Sequence, residues 1–135
     1  MEINTKNDQI RKLIKSKMEE NREWMITARR HLHMYPEVGD EEFKTTEYIE
    51  ALLNEIGIKT QRLLPTGLVG ILEAPEGAAG GKCIAIRADI DALPMPEETG
   101  LEFCSRNPGV MHACGHDMHM AALLCTAKIF SDPEV

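Results

Sequence analysis

From His112 to His119 the sequence reads His-Ala-Cys-Gly-His-Asp-Met-His. Three of the five histidines, one of the four cysteines and an aspartate thus fall within eight residues. Thiolate and imidazole are ligands for zinc and similar divalent ions, and a nearby cation favours the thiolate. Cys114 and His116 are separated by one residue, which points both side chains the same way in an extended segment but sets them about 200° apart in a helix. To share an ion they must precede the helix that the following run, Met118 to Phe130, predicts. Asp117 then stands where an N-cap belongs. His112 and His119 bring more nitrogen donors, of which only some can reach one ion. A cysteine beside histidines is also the equipment of a thiol hydrolase, with Cys114 as nucleophile and an imidazole as base. Spacing leaves both chemistries open.

A second acidic group precedes this one. Lys82 to Arg87 is nearly continuous in apolar residues, which predicts a strand buried on both faces by helices. It runs into Asp89 and Asp91. Ligands in open α/β sheets bind beyond the carboxyl ends of the strands. An aspartate at the end of a buried strand is costly unless paired, hydrogen-bonded or near a cation. Both aspartates are therefore placed for a site, although Arg87 could neutralise one in a purely structural pair.

These residues need elements to hold them. Apolar residues at Ile10, Leu13, Ile14, Met18, Trp24, Met25, Ala28 and Leu32 predict one long amphipathic helix with a solvated charged face. Pro36 ends it by disfavouring helical geometry at Tyr35. His31 and His33, at its end, read as structural or capping residues before ligands. Asp40 can cap a second helix whose stripe, Phe43, Ile49, Leu52, Leu53 and Ile56, stops at Gly57. Ile58 to Leu64 and Leu68 to Ala74 predict a hairpin about Pro65-Thr66-Gly67. Pro75 to Gly81 reads as a surface loop, and Met95 to Asn107 as a longer one able to wall a pocket. Cys83 and Cys125, in apolar surroundings, read as small buried hydrophobes.

Composition narrows the function. The net charge is -7, and only four Lys and Arg follow Arg62, which speaks against nucleic acid as a partner. No apolar run approaches the roughly 20 residues of a membrane span, and the N-terminus lacks a signal-peptide core, so the expected setting is cytoplasmic, with no membrane partner. The four cysteines contain no C-x-x-C pair and are expected to be reduced thiols.

With these residues in view, the chain resembles the zinc-dependent amidohydrolase and peptidase family that includes hippurate hydrolase, N-acyl-amino-acid deacylases and auxin-conjugate hydrolases. The resemblance rests on ordered segments: Arg30-His31-Leu32-His33 through Pro36-Glu37 with Glu42 and Thr45 or Thr46, then Ile86 to Pro94, then Met111 to His119. It runs from about Glu23 to Phe130. It implies that Cys114 and His116 are ligands of a dinuclear centre, and that Asp91 supports the centre from behind the ligands. Asp89 stands where members of the wider clan place a ligand histidine. The implied cofactors are two divalent ions, zinc first, with manganese, cobalt or nickel as alternatives. The implied substrate is a small N-acyl amino acid or peptide.

Two departures stand out. At Met120 the family more often carries a small polar residue. The family's glutamate base, remaining ligands and dimerisation domain come after the segment matching Phe130, whereas this sequence stops at Val135. Glu97 and Glu98, upstream in another loop, do not take the base's role. The expected fold is therefore α/β, a sheet flanked by helices. Residues 1–135 form the N-terminal portion of a di-metal peptidase-like catalytic domain, with the downstream half absent and little activity expected alone. An incomplete sheet leaves edges and apolar faces that favour homo-oligomers, or a noncatalytic fragment completed by another chain.

Overall fold

The computed structural model describes residues 2–74, 80 and 82–135. Two helices, α1 (Glu2–Glu20) and α2 (Arg22–Met34), take the place of the single long helix expected. Asn21 separates them. Its side-chain Nδ2 donates to the Lys17 carbonyl at 2.9 Å, the same oxygen that its own backbone N–H reaches at 3.1 Å. A side-chain amide that competes for a helical carbonyl loosens the ladder there. The apolar stripe continues across the break, so spacing alone does not reveal it. As expected, α2 ends at Tyr35, before Pro36.

Helix α3 (Phe43–Glu55) is capped from a distance. Asp40 does not cap it but adopts a φ of 67°, and Glu42, at the N-cap position, makes no side-chain cap bond. Glu37 satisfies the free N–H groups of the first turn instead. Its carboxylate accepts from the backbone of Lys44 at 3.2 Å and of Thr45 at 2.7 Å, and from the Thr45 hydroxyl at 2.8 Å. The other end closes as the sequence predicts. Gly57, at a φ of 80°, donates to Asn54 O at 3.0 Å while Ile58 donates to Leu53 O at 2.9 Å, the paired bonds of a Schellman turn.

The hairpin forms with shorter strands than expected. Strand β1 (Lys59–Gln61) pairs antiparallel with β2 (Val69–Ile71), Thr60 opposite Gly70. A Cβ at Gly70 would stand 3.2 Å from Ile58 Cγ2 and 3.3 Å from Leu53 Cδ1, so glycine lets the strand settle on α3. The third strand is not formed. Residues 82–87 join no ladder, and Ile84 and Ile86 are 88% and 62% exposed. An apolar segment becomes a strand only where a neighbour offers backbone partners, and the described sheet has two strands. Cys83 is accordingly exposed, whereas Cys125 is buried as expected. The loop expected over Pro75 to Gly81 lies, apart from Gly80, outside the described residues.

Helix α4 (His116–Phe130) packs across α2 and beside α3. Leu32, Ile49, Leu53, Ile58, Met120 and Leu124 make the core between the helices and the hairpin, an α/β arrangement with helices flanking a small sheet. None of the described helices is long and apolar enough to cross a membrane.

Candidate metal centre

Backbone bridges bring the separated segments of the sequence together. Ala92 donates to Glu37 O at 2.8 Å, in a parallel bridge between Val38 and Ala92. One residue on, Leu93 and Met111 exchange bonds of 2.9 and 3.0 Å in an antiparallel bridge. Asp91 is thereby fixed between the turn after α2 and the approach to α4.

His116 opens α4, and Gly115 before it holds a φ of 82°. This left-handed turn is open to glycine at little cost and lets Cys114 leave the helix axis while His116 stays on it. His116 Nδ1 lies 2.9 Å from the Asp91 carbonyl oxygen and 3.1 Å from Asp91 Oδ1. Two acceptors facing one nitrogen place the proton on Nδ1 and leave the lone pair on Nε2. Cys114 is an exposed free thiol.

Several expectations are revised at this point. Asp117 is not the cap: it is 1% exposed within the first turn, beside Arg29 and His33. Asp89 pairs with Arg87, the structural partner considered from the sequence, while Asp91 alone of the two aspartates meets His116. His119 is exposed, its ring centroid 6.0 Å from that of His116. No group of three His, Cys, Asp or Glu side chains able to hold a metal is assembled among the described residues.

His112 is 4% exposed, and neither ring nitrogen has a hydrogen-bond partner among the described residues. Burial pushes its pKa below the ordinary 6.5, outweighing the attraction of Asp117 and Asp91. A neutral imidazole with two unused nitrogens, an exposed thiol and an oriented imidazole suit a divalent ion. In donor chemistry the residues fit part of a metal site.

The largest buried polar group was not recognised from the sequence. His33 Nδ1 lies 2.7 Å from Asp117 Oδ2, and its Nε2 lies 3.1 Å from Glu97 Oε1. Glu97 also accepts from Ser105 N at 2.5 Å and from the Thr99 hydroxyl. Burial opposes its charge, but these bonds win and hold its carboxyl below the usual range. The available signal was the charged and polar pair Arg29 and His33 bordering the apolar stripe of α2. His31 fits its structural reading, stacked on Tyr48 with centroids 3.8 Å apart.

Residues 85–132 match peptidase family M20/M25/M40. The chain is 50% identical over 109 residues to N-acetyl-L-cysteine deacetylase of Bacillus subtilis, covering 80% of this chain and 26% of that protein. It is 47% identical over 119 residues to N-acyl-L-amino acid amidohydrolase of Geobacillus stearothermophilus, covering 87% and 31%. The crystal structure of a Bacillus subtilis dinuclear metal-binding peptidase of the M20 family superposes with a TM-score of 0.79 at 41% identity, over 84% of this chain and 32% of that one. The chain spans roughly a quarter to a third of the length of these relatives. The similarity is thus to the M20 peptidase family, by the match over residues 85–132 and by likeness to a part of these relatives.

Proposed function

We propose that this chain contributes Cys114 and His116 to a two-metal centre that hydrolyses the amide bond of N-acyl amino acids or small peptides. Asp91 orients the histidine. The observation that carries the reading is the hydrogen bond of His116 Nδ1 to the Asp91 carbonyl, with the Asp91 carboxylate beside it, which keeps Nε2 available as a ligand. When bound, the ions, zinc or else manganese, cobalt or nickel, supply Lewis acidity that polarises the scissile carbonyl and lowers the pKa of an attacking water.

The chain's own residues do the positioning. Gly115 sets Cys114 and His116 on either side of a left-handed turn. Asp91 holds the imidazole tautomer and ring orientation. Glu97 is committed to His33, Ser105 and Thr99, so no proton transfer is assigned to it. Asp89, paired with Arg87, is given at most an outer electrostatic role. The reading puts the base and remaining ligands downstream of Val135 and gives residues 1–135 little activity alone. The lack of a three-donor cluster among the described residues supports this. Four free thiols accord with a reducing, cytoplasmic setting.

Metal analysis tests the reading. Near-stoichiometric zinc or manganese in the purified chain that disappears in Cys114→Ala supports it. A longer form that turns over no N-acyl amino acid or peptide in the presence of these metals refutes the amidohydrolase assignment. A second reading, a noncatalytic chain that associates with another, draws on the exposed Ile84 and Ile86 beside the open sheet.

A further inference from the structure

Four ionisable side chains, from α2, the 97–105 loop and the first turn of α4, meet behind the ligand-bearing turn. His33 is 4% exposed and sits between two carboxylates, Asp117 Oδ2 at 2.7 Å and Glu97 Oε1 at 3.1 Å. Each ring nitrogen of His33 thus faces a carboxylate oxygen. Arg29 Nε approaches the same Asp117 oxygen at 2.8 Å, off the line of a hydrogen bond, as an ionic contact. Its Nη2, 3.5 Å from His33 Nδ1, is too distant to displace the 2.7 Å bond. Arg29, His33, Asp117 and Glu97 thus form one largely buried polar cluster in which each carboxylate faces at least one side-chain nitrogen.

The cluster ties the 97–105 loop and the first turn of α4 to α2. Glu97 is itself fixed to the loop through Ser105 N and the Thr99 hydroxyl. Asp117 follows His116 directly and lies in the first turn of α4, 1% exposed. A rotation of that turn that redirects His116 also draws Asp117 away from His33, and moves the Gly115 turn that carries Cys114. The core of α2 anchors the other end, since Leu32, adjacent to His33, is fully packed.

Resting on the metal-centre reading above, we propose that His33 is a positioning residue for metal binding. By holding Asp117 and Glu97 together it fixes the first turn of α4, and through it the directions of Cys114 and His116. It touches neither metal nor substrate, and its effect is on ligand geometry.

Cobalt(II) titration of the 135-residue chain provides the test, with affinity and the visible ligand-field and thiolate bands read beside a metal-free thermal melt. Below its melting range, His33→Gln is expected to bind cobalt about 10- to 100-fold more weakly, with an altered band envelope. Glu97→Gln should shift both readouts the same way. The double variant should bind no more weakly than His33→Gln alone. Folded variants with unchanged affinity and spectrum overturn the proposal and leave the cluster a purely structural one. If His33→Gln does not fold, Glu97→Gln decides by the same criteria. Should the unmodified chain bind no more cobalt than Cys114→Ala, His33 has no metal binding to position in this chain and the proposal is overturned, while the amidohydrolase reading is judged separately by turnover in the longer form.

Discussion

His116 meets Asp91 twice, its Nδ1 lying 2.9 Å from the main-chain carbonyl and 3.1 Å from the carboxylate of the same residue. The two contacts divide the work. The carbonyl, held by the bridges at Ala92 and Leu93 just after it, sets ring position, while the carboxylate adds negative charge behind the imidazole. Asp91→Ala should keep the first and lose the second. Its zinc affinity, measured by competition with a chromophoric chelator, is expected to fall about 10-fold, the lower end of the range for such supporting groups. Asp89→Ala, which only releases Arg87, should leave affinity unchanged. Equal losses in the two variants would show that general negative charge, rather than the His116 contact, matters.

Gly115 offers a separate handle on the same turn. Its φ of 82° is unfavourable for any residue with a Cβ, and that Cβ would stand 3.3 Å from Met118 Cε. Left-handed geometry costs an L-residue roughly 1–2 kcal/mol. Gly115→Ala is expected to lose about that much in urea denaturation, with the flexible Met118 side chain moving aside. A stability equal to that of the unmodified chain would mean that the turn relaxes to another conformation.

Most helices were legible because their apolar residues recur with the helical period, and what escaped were the contacts that periodicity does not encode. The interruption at Asn21 depends on one amide bonding back to Lys17. The cap of α3 comes from Glu37, outside the window in which a local cap is sought. Residues 82–87 have the composition of a strand, but composition supplies no partner for their backbone. In the site, Cys114 and His116 could be singled out by residue type and by a glycine between them. Asp91 could be singled out, but its meeting with His116 across 25 residues depends on the bridges at Ala92 and Leu93. Asp117 was mistaken for a cap because an aspartate before an apolar run usually is one. Its burial against His33, 84 residues away, is a tertiary fact.

Stability should decline in mild acid because burial holds two imidazoles, His31 and His112, below their ordinary pKa. Between the folded pKa of each and about 6.5 the unfolded chain therefore binds more protons, and stability falls as pH drops through that window. Glu97 has the same sign lower down: its carboxyl is held below the usual range, so its contribution is present above the ordinary carboxylate pKa and lost as pH falls through the folded value. The melting temperature is expected to decrease as pH drops below about 6.5, and His31→Phe should reduce that slope, leaving the part due to His112, while retaining the steeper loss in stronger acid. An unchanged slope in His31→Phe would assign the mild-acid loss to other groups.

The apolar face at the sheet makes a prediction about size. Ile84 and Ile86 are 88% and 62% exposed, Ile71 and Leu72 about half exposed, and a cavity of about 640 Å³ opens among the hairpin, residues 83–88, α3 and α4. Contiguous apolar surface of this kind favours contact with another surface, and β2 adds a backbone edge with no ladder partner among the described residues. Charges at the two isoleucines oppose both modes of association, because a lysine is costly to bury and repels its copy. At tens of micromolar, sedimentation is expected to show species larger than the monomer. Ile84→Lys with Ile86→Lys should return the chain to monomer while the helical signal is preserved. Monomer in both proteins would mean that α3, α4 and the 83–88 segment close over the cavity in solution, removing the physical ground for association through the sheet.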